Sequence, residues 1–468
     1  MVKKNKKTRF SSQLGFILAS AGGAVGLGNI WRFPYLAARN GGGLFLLIYL
    51  IVSLTFGFYF LVTELALGRR TQKHSLELFK SLSPKWDFLG KLTFAVPFLV
   101  MIYYPIIGGW VLKYCVSFLS GNGPATASND FFNKFLQSPT QLIFYSLTYL
   151  LLTAIIVSLG VNNGIEKFAK VIMPGMILMI LGMAIYSVGL KYTNINGESR
   201  TAIQGIKIYM FPNFSGLTVK KFLEITLDAV SQAFYSIGIA WGMMITYGVY
   251  LRKDINMCST IRQIDFCDTF ISFLAGFIIV PTFYIFSGKS LTSSGPNLLF
   301  VSLPKIFNTM GITGQIVGTI FFLMVAFAAL TSSISILEVV IASCVESFKI
   351  SRRKTCLINT CIIAFLLLFV CLGFNLFYFE FRLPNGQVGS LFDLIDYFCG
   401  NILMPLVALL TCIFTGWVVK PSFVVEEVET HNYKFKTKNI YVLMVKYIAP
   451  IVILALFLES TGLLNLFL

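Results

Sequence analysis

The sequence predicts an all-α integral membrane protein, and three observations lead to this fold class. Of the 468 residues, 56% are hydrophobic and only 12% are charged, with a mean hydropathy of +0.79, whereas soluble domains carry about 25% charged residues. Eleven apolar runs are long enough to cross a hydrocarbon core of roughly 30 Å as helices. Two of these runs are interrupted by glycines and polar side chains at mid-membrane depth, which is typical of sites built from broken helices.

The eleven predicted spans follow one another with short polar breaks between them. They cover residues 12–38, 44–68, 89–119, 141–160, 166–190, 222–250, 262–287, 313–347, 356–376, 391–417 and 440–466. The stretch 120–140 is predicted to be a loop, and all connections are too short to hold a soluble domain. We therefore expect a single transmembrane domain over residues 1–468.

The basic residues indicate how this domain lies in the membrane. The net charge of +17 would suggest a nucleic-acid partner in a soluble chain, but here the cations lie in the short connections. Of the 37 Lys and Arg residues, 25 fall on the side of the N-terminus and 11 on the other side. The positive-inside rule therefore predicts that residues 1–10 are a cytoplasmic segment, that Leu468 is external, and that the partner is a lipid bilayer rather than a nucleic acid.

The first span contains a glycine-rich break. Residues 22–29 read GGAVGLGN. Four glycines thus lie near the middle of the membrane, where each backbone group depends on the hydrogen bonds of the helix. Gly22 and Gly26 also fit close helix packing through small residues, which is the structural alternative. The polar and aromatic residues Asn29, Trp31 and Arg32 that follow favour a functional break.

The sixth span, five spans later, contains a second break. Residues 232–242 read QAFYSIGIAWG and again mix glycines with polar side chains. Interrupted helices at corresponding positions in two halves indicate a transporter site, because half-helix N-termini attract carboxylates and freed carbonyls coordinate cations. A carrier or symporter is the function class that this pattern favours.

Four acidic residues fall within or near the apolar runs, where each needs a partner. They are Glu64, Asp228, Asp268 and Glu338. We expect Glu64 and Glu338 to accept hydrogen bonds from broken backbone and Asp268 to bind an ion. The hydroxyls of residues 331–333 either bond the carbonyl one turn back or, next to a break, bind a hard cation.

Catalytic constellations are lacking in the sequence. His74 and His431 are the only histidines, they are far apart, and we interpret both as solvated loop residues. The sequence has no P-loop, and Trp31 stands where a dinucleotide fingerprint needs its third glycine. These observations disfavour an enzyme.

Residues 22–34, GGAVGLGNIWRFP, resemble the first helix of the neurotransmitter:sodium symporter family. The resemblance continues through residues 103–104, 232–242, 246–247, 252–254, 330–333 and 393–401. It implies a LeuT-type 5+5 inverted-repeat transporter fold, with repeat one at about 12–190, repeat two at about 222–417 and an eleventh transmembrane helix at about 440–466. The eleven spans are similar to a bacterial subgroup of the family, which implies an inner-membrane location.

The resemblance implies a sodium-coupled symporter that imports a neutral amino acid by alternating access. It implies two sodium ions, each held by oxygen ligands. Sodium 1 would use the Ala24 carbonyl, Asn29, Ser236, Asp268 and the substrate carboxylate. Sodium 2 would use the carbonyls of Gly22, Val25 and Ala328 and the hydroxyls of Thr331 and Ser332.

The substrate contacts follow from the same resemblance. The carboxylate would meet the N–H groups of Leu27 and Gly28 and the Tyr104 hydroxyl, and the ammonium would meet the carbonyls of Ala24 and Tyr235 and the Ser236 hydroxyl. The side-chain pocket would be lined by Val100, Tyr235, Gly238, Trp241, Ser332 and Ile336. Trp241 narrows this pocket and Gly238 widens it, so small and aromatic neutral amino acids both fit. Gly26, at the position of an aspartate in monoamine carriers, favours an amino acid over a monoamine.

Asp268 stands where the family more often has an asparagine. By resemblance its neighbours are Tyr49, Gln232, Ser236 and Ser272, the chloride-binding cluster of chloride-dependent members. A fixed carboxylate there supplies the anion that buried sodium needs. We therefore predict that chloride is not required.

The resemblance also implies two gates. Arg32 and Asp396 would pair on the outer side, with Tyr104 and Tyr235 closing over the substrate. On the inner side Lys7 or Arg9 would pair with Glu346, and Phe10 would act as an apolar wedge.

Two alternatives to a symporter keep the fold but not the coupling. One is a sodium-dependent amino acid sensor or uncoupled membrane receptor, and the other is a channel, which would conduct passively rather than saturate. An intramembrane enzyme ranks last. The oligomeric state is left open by the sequence.

Overall fold

A computed structural model describes residues 9–193, 197–288, 291, 294–384 and 386–463. In this part of the chain, nine unbroken helices are long and apolar enough to cross a membrane. They are Gly43–Thr71, Pro84–Leu119, Pro139–Ser158, Val161–Val188, Met257–Ser287, Ile312–Phe348, Arg352–Leu372, Leu391–Val418 and Lys438–Ser460. Their bounds differ by up to six residues from the predicted spans, and all nine predictions are confirmed.

The other two predicted spans are divided helices. The first consists of Gln13–Ala24 and Gly28–Arg39, which are bent by 58° relative to each other. The sixth consists of Val219–Ser236 and Met243–Tyr250, separated by residues 237–242. Both predicted breaks are therefore present, at the positions where the glycines lie.

The sixth span breaks because three of its residues adopt left-handed backbone angles. Gly238 and Gly242 have φ of 67° and 69°, and Ala240 between them has φ of 66°, a conformation that glycine adopts at little steric cost. The freed N–H of Ala240 donates to Glu64 Oε1 at 3.1 Å. This contact confirms the expectation that Glu64 accepts from broken backbone.

The second half of the sixth span packs backbone to backbone on the second span. A Cβ atom at Gly68 would lie 1.9 Å from the Ile245 carbonyl oxygen, and one at Gly248 would lie 2.4 Å from the Leu65 carbonyl oxygen. Only glycine permits this approach at either position. The two glycines thus fix the short helix after the break against a neighbouring span.

The third and eighth spans form the centre of the bundle. In both Pro84–Leu119 and Ile312–Phe348, 78% of the most apolar window is buried, against 33% for Val161–Val188 and Lys438–Ser460. Helices at the periphery of a membrane protein face lipid, which is as apolar as their side chains. Many of their apolar residues are therefore not buried by protein. The two broken spans contact this central pair.

Shorter elements connect the spans. The helical ones are Ser75–Leu82, Gly123–Ala127, Phe131–Gln137, Ala202–Met210, Gly295–Asn297, Leu298–Ser302, Leu303–Thr309, Ser422–Val428 and Thr430–Asn432. Two antiparallel strand pairs complete them, Lys191–Thr193 with Ser199–Thr201 and Phe381–Arg382 with Val388–Gly389.

The structure corrects three expectations about individual segments. Residues 120–140, predicted to be a loop, contain helix Phe131–Gln137, whose Phe132 stacks on Phe300 at 5.2 Å between ring centroids. His74 is buried rather than solvated, with its ring 5.5 Å from that of Tyr250. Glu338 is paired with side chains, Arg352 and the Tyr250 hydroxyl, instead of broken backbone. His431 is exposed, as predicted.

Candidate substrate and cation sites at the two helix breaks

The two helix breaks lie beside one cavity in the middle of the bundle. The cavity has a volume of about 270 Å³. Its lining residues come from the first, third, sixth, eighth and tenth spans: Gly23, Ala24, Gly26, Leu27, Gly28, Asn29, Trp31, Arg32, Tyr103, Tyr104, Ile107, Tyr235, Gly238, Trp241, Met243, Ser332 and Asp396. Most of the residues predicted to contact the substrate are among them, but Ser236 is not, because its hydroxyl points to Asp268.

Unpaired donors face the cavity at the first break. Helix Gly28–Arg39 begins there, so the N–H groups of Leu27 and Gly28 have no carbonyl one turn back within that helix. The buried Tyr104 hydroxyl forms no hydrogen bond within the described part of the chain. It faces the Leu27 backbone and the Ser332 hydroxyl. An anionic oxygen at this end of the cavity would meet N–H and O–H donors together.

A buried polar cluster joins the first, sixth and seventh spans. The Asn29 amide nitrogen lies 2.8 Å from Ser236 Oγ, 2.7 Å from Asp268 Oδ1 and 2.7 Å from Ser272 Oγ. Ser236 Oγ also donates to Asp268 Oδ2 at 2.7 Å. Asp268 is 0% exposed. Three oxygens from two spans thus surround the Asn29 amide nitrogen, while the Asn29 amide oxygen accepts from the Gly26 N–H at 2.8 Å.

The structure brings together most of the cluster predicted around Asp268. The Tyr49 hydroxyl donates to Asp268 Oδ2 at 3.4 Å, and Ser272 Oγ donates to the Asp268 carbonyl at 2.9 Å. Gln232 differs from the prediction, because its amide nitrogen points to the Gly28 carbonyl at 3.4 Å. The carboxylate therefore occupies the centre of a hydroxyl cluster that would otherwise suit an anion.

A second oxygen-rich cluster lies where the first break contacts the eighth span. Ser332 Oγ is 3.0 Å from the Val25 carbonyl oxygen, 3.5 Å from that of Gly22 and 3.2 Å from that of Ala328. Thr331 Oγ1 is 2.9 Å from the Ala328 carbonyl oxygen. All five residues predicted for sodium 2 are thus adjacent. Carbonyl and hydroxyl oxygens without any nitrogen or sulfur ligand suit a hard cation.

Two predicted pocket residues lie behind the cavity instead of lining it. Val100 and Ile336 are both 0% exposed and are not in contact with the cavity. Ile107 and Met243 line the cavity, and neither was predicted to do so. Met243 follows the second break by one residue, and a Cβ atom at Gly238 would lie 2.1 Å from its Cε. The fold of residues 237–242 brings this side chain back to the cavity.

The predicted outer pair is not in contact. Arg32 donates to the Ser231 hydroxyl at 2.7 Å and to the Ser231 carbonyl at 3.2 Å, and its guanidinium lies 4.7 Å from the centre of the Tyr235 ring. Asp396 is exposed and faces the Tyr103 hydroxyl. Both side chains line the cavity, but Ser231 rather than Asp396 accepts the hydrogen bonds of the guanidinium.

Aromatic side chains pack together where the first helix begins, and Glu346, predicted for the inner gate, has a different partner. Phe10 is 4% exposed and packs edge-on against Phe16 and Tyr247, with 5.3 and 5.6 Å between ring centroids. Glu346 pairs with Lys73 at 3.0 Å rather than with Arg9, which is exposed and forms no ion pair within the described residues. Lys7 lies outside the described residues.

A further anchor for the first helix was missed by the sequence reading. Glu166, at the start of the fifth span, accepts from the Ser11 N–H at 2.7 Å and from the Ser12 hydroxyl at 3.1 Å, and pairs with Lys170 at 2.7 Å. A Cβ atom at Gly15 would lie 2.1 Å from Glu166 Oε1. The other four acids were noted because they lie within or near an apolar run. Glu166 is the first residue of the predicted span 166–190, so the same signal could have identified it.

Comparisons with known proteins agree with this geometry. Residues 7–141 and 132–465 match the sequence model of the Sodium:neurotransmitter symporter family. The chain belongs to this family. It is 33% identical to a sodium-dependent transporter of Haemophilus influenzae, over 98% of this chain and 100% of the relative, and 31% identical to one of Bacillus subtilis, over 99% and 100%. The predicted family is confirmed.

Structural similarity extends to a solved member of the symporter family. The crystal structure of MhsT in complex with L-phenylalanine superposes with a TM-score of 0.82 at 33% identity, covering 97% of this chain and 99% of that chain. Like other family members, the chain is therefore a multi-pass, sodium-dependent transporter with the LeuT-type fold, and it is not an enzyme. A sodium- and chloride-dependent GABA transporter of Bos taurus is a more distant relative, 26% identical over 84% of this chain and 72% of its own length.

Proposed function

We propose that this transporter is a sodium-coupled symporter that imports a neutral amino acid by alternating access. The observation that carries the proposal is the shared cavity at the two helix breaks, which has N–H and hydroxyl donors at one end and two oxygen-rich clusters beside it. A zwitterion fits such a site, because its carboxylate needs donors and its ammonium needs carbonyl and hydroxyl acceptors. Leu27, Gly28 and Tyr104 would hold the carboxylate, and Ala24, Tyr235 and Ser236 the ammonium.

Each cluster would bind one sodium ion. Sodium 1 would lie between Ala24, Asn29, Ser236 and Asp268, and sodium 2 between Gly22, Val25, Ala328, Thr331 and Ser332. When bound, the ions supply positive charge that attracts the substrate carboxylate and balances Asp268. The chain's own contribution is to replace the hydration shell of each ion with oxygens that are already in place, so that desolvation is offset.

Coupling follows from residues that belong to both a cation cluster and the cavity. Asn29 lines the cavity and bonds to Asp268, and Ser332 lines the cavity and contacts the Val25 carbonyl. An ion that fixes either side chain changes the shape of the substrate site, and the substrate then affects ion affinity by the same factor. The second cluster also holds the end of the first half-helix through the Gly22 and Val25 carbonyls, so loss of its ion would free that helix to move.

The cavity favours an amino acid over a monoamine. A Cβ atom at Gly26 would lie 2.9 Å from Ser332 Oγ, so an acidic side chain at this position would displace a predicted ligand of sodium 2. Met243 fills the space beside Gly238, where a Cβ atom would lie 2.1 Å from the Met243 Cε, so the support for a large substrate side chain is MhsT, which is known in complex with L-phenylalanine. We therefore favour an aromatic neutral amino acid, with a small neutral one as the alternative that Trp241 supports.

The proposal extends to topology and to chloride. We place the N-terminus in the cytoplasm and the end of the last helix outside, in a bacterial inner membrane, because Lys and Arg concentrate on one side of the bundle. Asp268 supplies the negative charge beside sodium 1, so we infer that transport does not require chloride.

Uptake by proteoliposomes tests this proposal. Labelled phenylalanine, tyrosine, alanine, glycine, dopamine and serotonin are each offered with an inward sodium gradient or an inward choline gradient. Each unlabelled neutral amino acid is added as a competitor. Sodium-dependent accumulation with an aromatic amino acid as the best competitor is expected. Binding that depends on sodium without any accumulation would contradict symport and indicate a sensor. Accumulation of dopamine or serotonin but of no amino acid would refute the substrate class.

A further inference from the structure

A basic groove lies at the end of the bundle where the first helix begins. It has a volume of about 810 Å³ and opens between the first, second and seventh spans and the segment before the last span. Its walls are apolar, formed by Leu14, Ile17, Leu18, Leu54 and Phe266. Its rim carries Arg262, Lys434 and Lys436. The groove is remote from the substrate cavity and shares no lining residue with it.

The three rim cations are exposed and are not neutralised by an acid. None of them forms an ion pair with another described residue. Arg262 lies over the Phe58 ring at 5.5 Å. The nearest acid along its helix, Asp265, is buried and accepts from the Ser53 hydroxyl. A positive field therefore remains at the mouth of the groove.

The lysines are held in place by the residue between them. Phe435 is 3% exposed, and its ring packs 5.4 Å from Tyr441 and 6.5 Å from Tyr59. Because Phe435 is fixed in the core, Lys434 and Lys436 on either side of it are presented at the surface. This segment therefore holds two positive charges in fixed positions at the surface.

Charge and apolar surface are separated by depth. Arg262 and Phe266 are four residues apart in helix Met257–Ser287 and so share one face, with Phe266 about 6 Å farther from the helix start. Phe266 is 67% exposed, Leu14 61% and Leu54 55%. A ligand of this groove therefore needs an anionic head near the end of the bundle and a hydrocarbon tail toward its middle.

We propose that the groove binds one anionic phospholipid, with its phosphate at Arg262, Lys434 and Lys436 and an acyl chain along Leu14, Leu54 and Phe266. Basic residues beside apolar helix faces at a membrane surface are a recognised arrangement for such headgroups. The first eight residues of the chain are poor occupants, because they contain four lysines and no acid. Which leaflet supplies the lipid rests on the proposed orientation of the chain in the membrane. Lipid binding itself does not rest on that orientation.

The groove also touches the helix that holds the cation ligands. Leu14, Ile17 and Leu18 belong to helix Gln13–Ala24. The Gly22 carbonyl of this helix belongs to the second cluster. A lipid seated against this helix restrains its movement, so it would affect the rate of transport without contacting substrate or sodium.

Native mass spectrometry of the full-length protein tests the site without measuring transport. Phosphatidylglycerol or phosphatidylcholine is titrated into the parent protein, the triple variant R262Q/K434Q/K436Q and a control variant K349Q/R353Q/K354Q, which loses the same charges elsewhere. The conservative variant R262K/K434R/K436R keeps the charge and shows whether the groove tolerates substitution.

Each basic side chain near anionic lipid is worth a factor of about five, so the triple variant is expected to bind phosphatidylglycerol on the order of a hundredfold more weakly. The parent, the control and the conservative variant should bind it equally, and phosphatidylcholine should bind none of them specifically. Equal binding of phosphatidylglycerol by the triple variant, or equal binding of the two lipids by the parent, would overturn the proposal. Because uptake is not measured, failure here is distinct from failure of the symport mechanism.

Discussion

Replacing Asp268 with asparagine should give the transporter a chloride requirement and weaken its affinity for sodium. The substitution removes one negative charge from a buried cluster and changes few atoms. If Asp268 supplies the anion beside sodium 1, a chloride ion among Tyr49, Ser236 and Ser272 must replace it in the variant. The parent should transport equally well in chloride and in gluconate.

The magnitude follows from the hydrogen bonds of the carboxylate. Asp268 accepts from Asn29 on one oxygen and from Ser236 and Tyr49 on the other. An amide retains a single oxygen, so its nitrogen must face either Asn29 or Ser236, and one hydrogen bond to a charged group is lost. Such a bond is worth about 1.5 to 3 kcal/mol. This corresponds to a rise of about 10- to 150-fold in the sodium concentration that gives half-maximal uptake.

The assay is uptake by proteoliposomes as a function of sodium concentration, in chloride and in gluconate. Asp265→Asn is the matched control, because that carboxylate is also buried, lies three residues earlier on the same helix and bonds to Ser53 rather than to Asn29. The control should remain independent of chloride. An Asp268→Asn variant whose sodium dependence and chloride independence match the parent would refute the assignment of this residue.

Three further substitutions test other parts of the account. Ser332→Ala removes the hydroxyl that lies 3.0 Å from the Val25 carbonyl oxygen. It should raise the sodium concentration that gives half-maximal uptake about 5- to 150-fold. The control Ser333→Ala, which removes a hydroxyl bonded to Tyr149, should leave this concentration unchanged. Trp241→Phe enlarges the cavity and should shift the competition profile toward larger side chains; an unchanged profile would show that Trp241 does not select the substrate. Gly68→Ala should lower the midpoint of thermal unfolding, because its Cβ would lie 1.9 Å from a carbonyl oxygen and such overpacking costs about 1 to 3 kcal/mol. The control Gly175→Ala, whose Cβ would have no atom within 4 Å, should leave the midpoint unchanged or raise it.

The membrane-spanning helices and the two breaks could be predicted from sequence because the signals are local. A bilayer requires about 20 apolar residues per helix, and the glycines of residues 22–28 and 238–242 mark the places where the helix ends. The nearness of several candidate site residues to a break could be predicted for the same reason. Asn29, Ser236 and Ser332 lie within a few residues of a break or on the span that faces one.

Details that depend on packing between distant segments were not predictable in this way. The partner of Arg32 is Ser231 rather than Asp396, because the guanidinium reaches a nearby helix before it reaches the tenth span. Val100 and Ile336 rotate away from the cavity, and Met243 enters it only because residues 237–242 adopt positive φ angles. Sequence alone gives neither the rotation of a helix about its axis nor the path of a turn.

Sodium coupling is the central claim, and the accumulation ratio at steady state tests it most directly. Proteoliposomes with the membrane potential clamped at zero are given a series of sodium gradients, and the ratio of internal to external amino acid is measured when net uptake stops. Two coupled sodium ions predict that the accumulation ratio rises as the square of the sodium ratio. An accumulation ratio that stays at one for every sodium gradient would contradict symport.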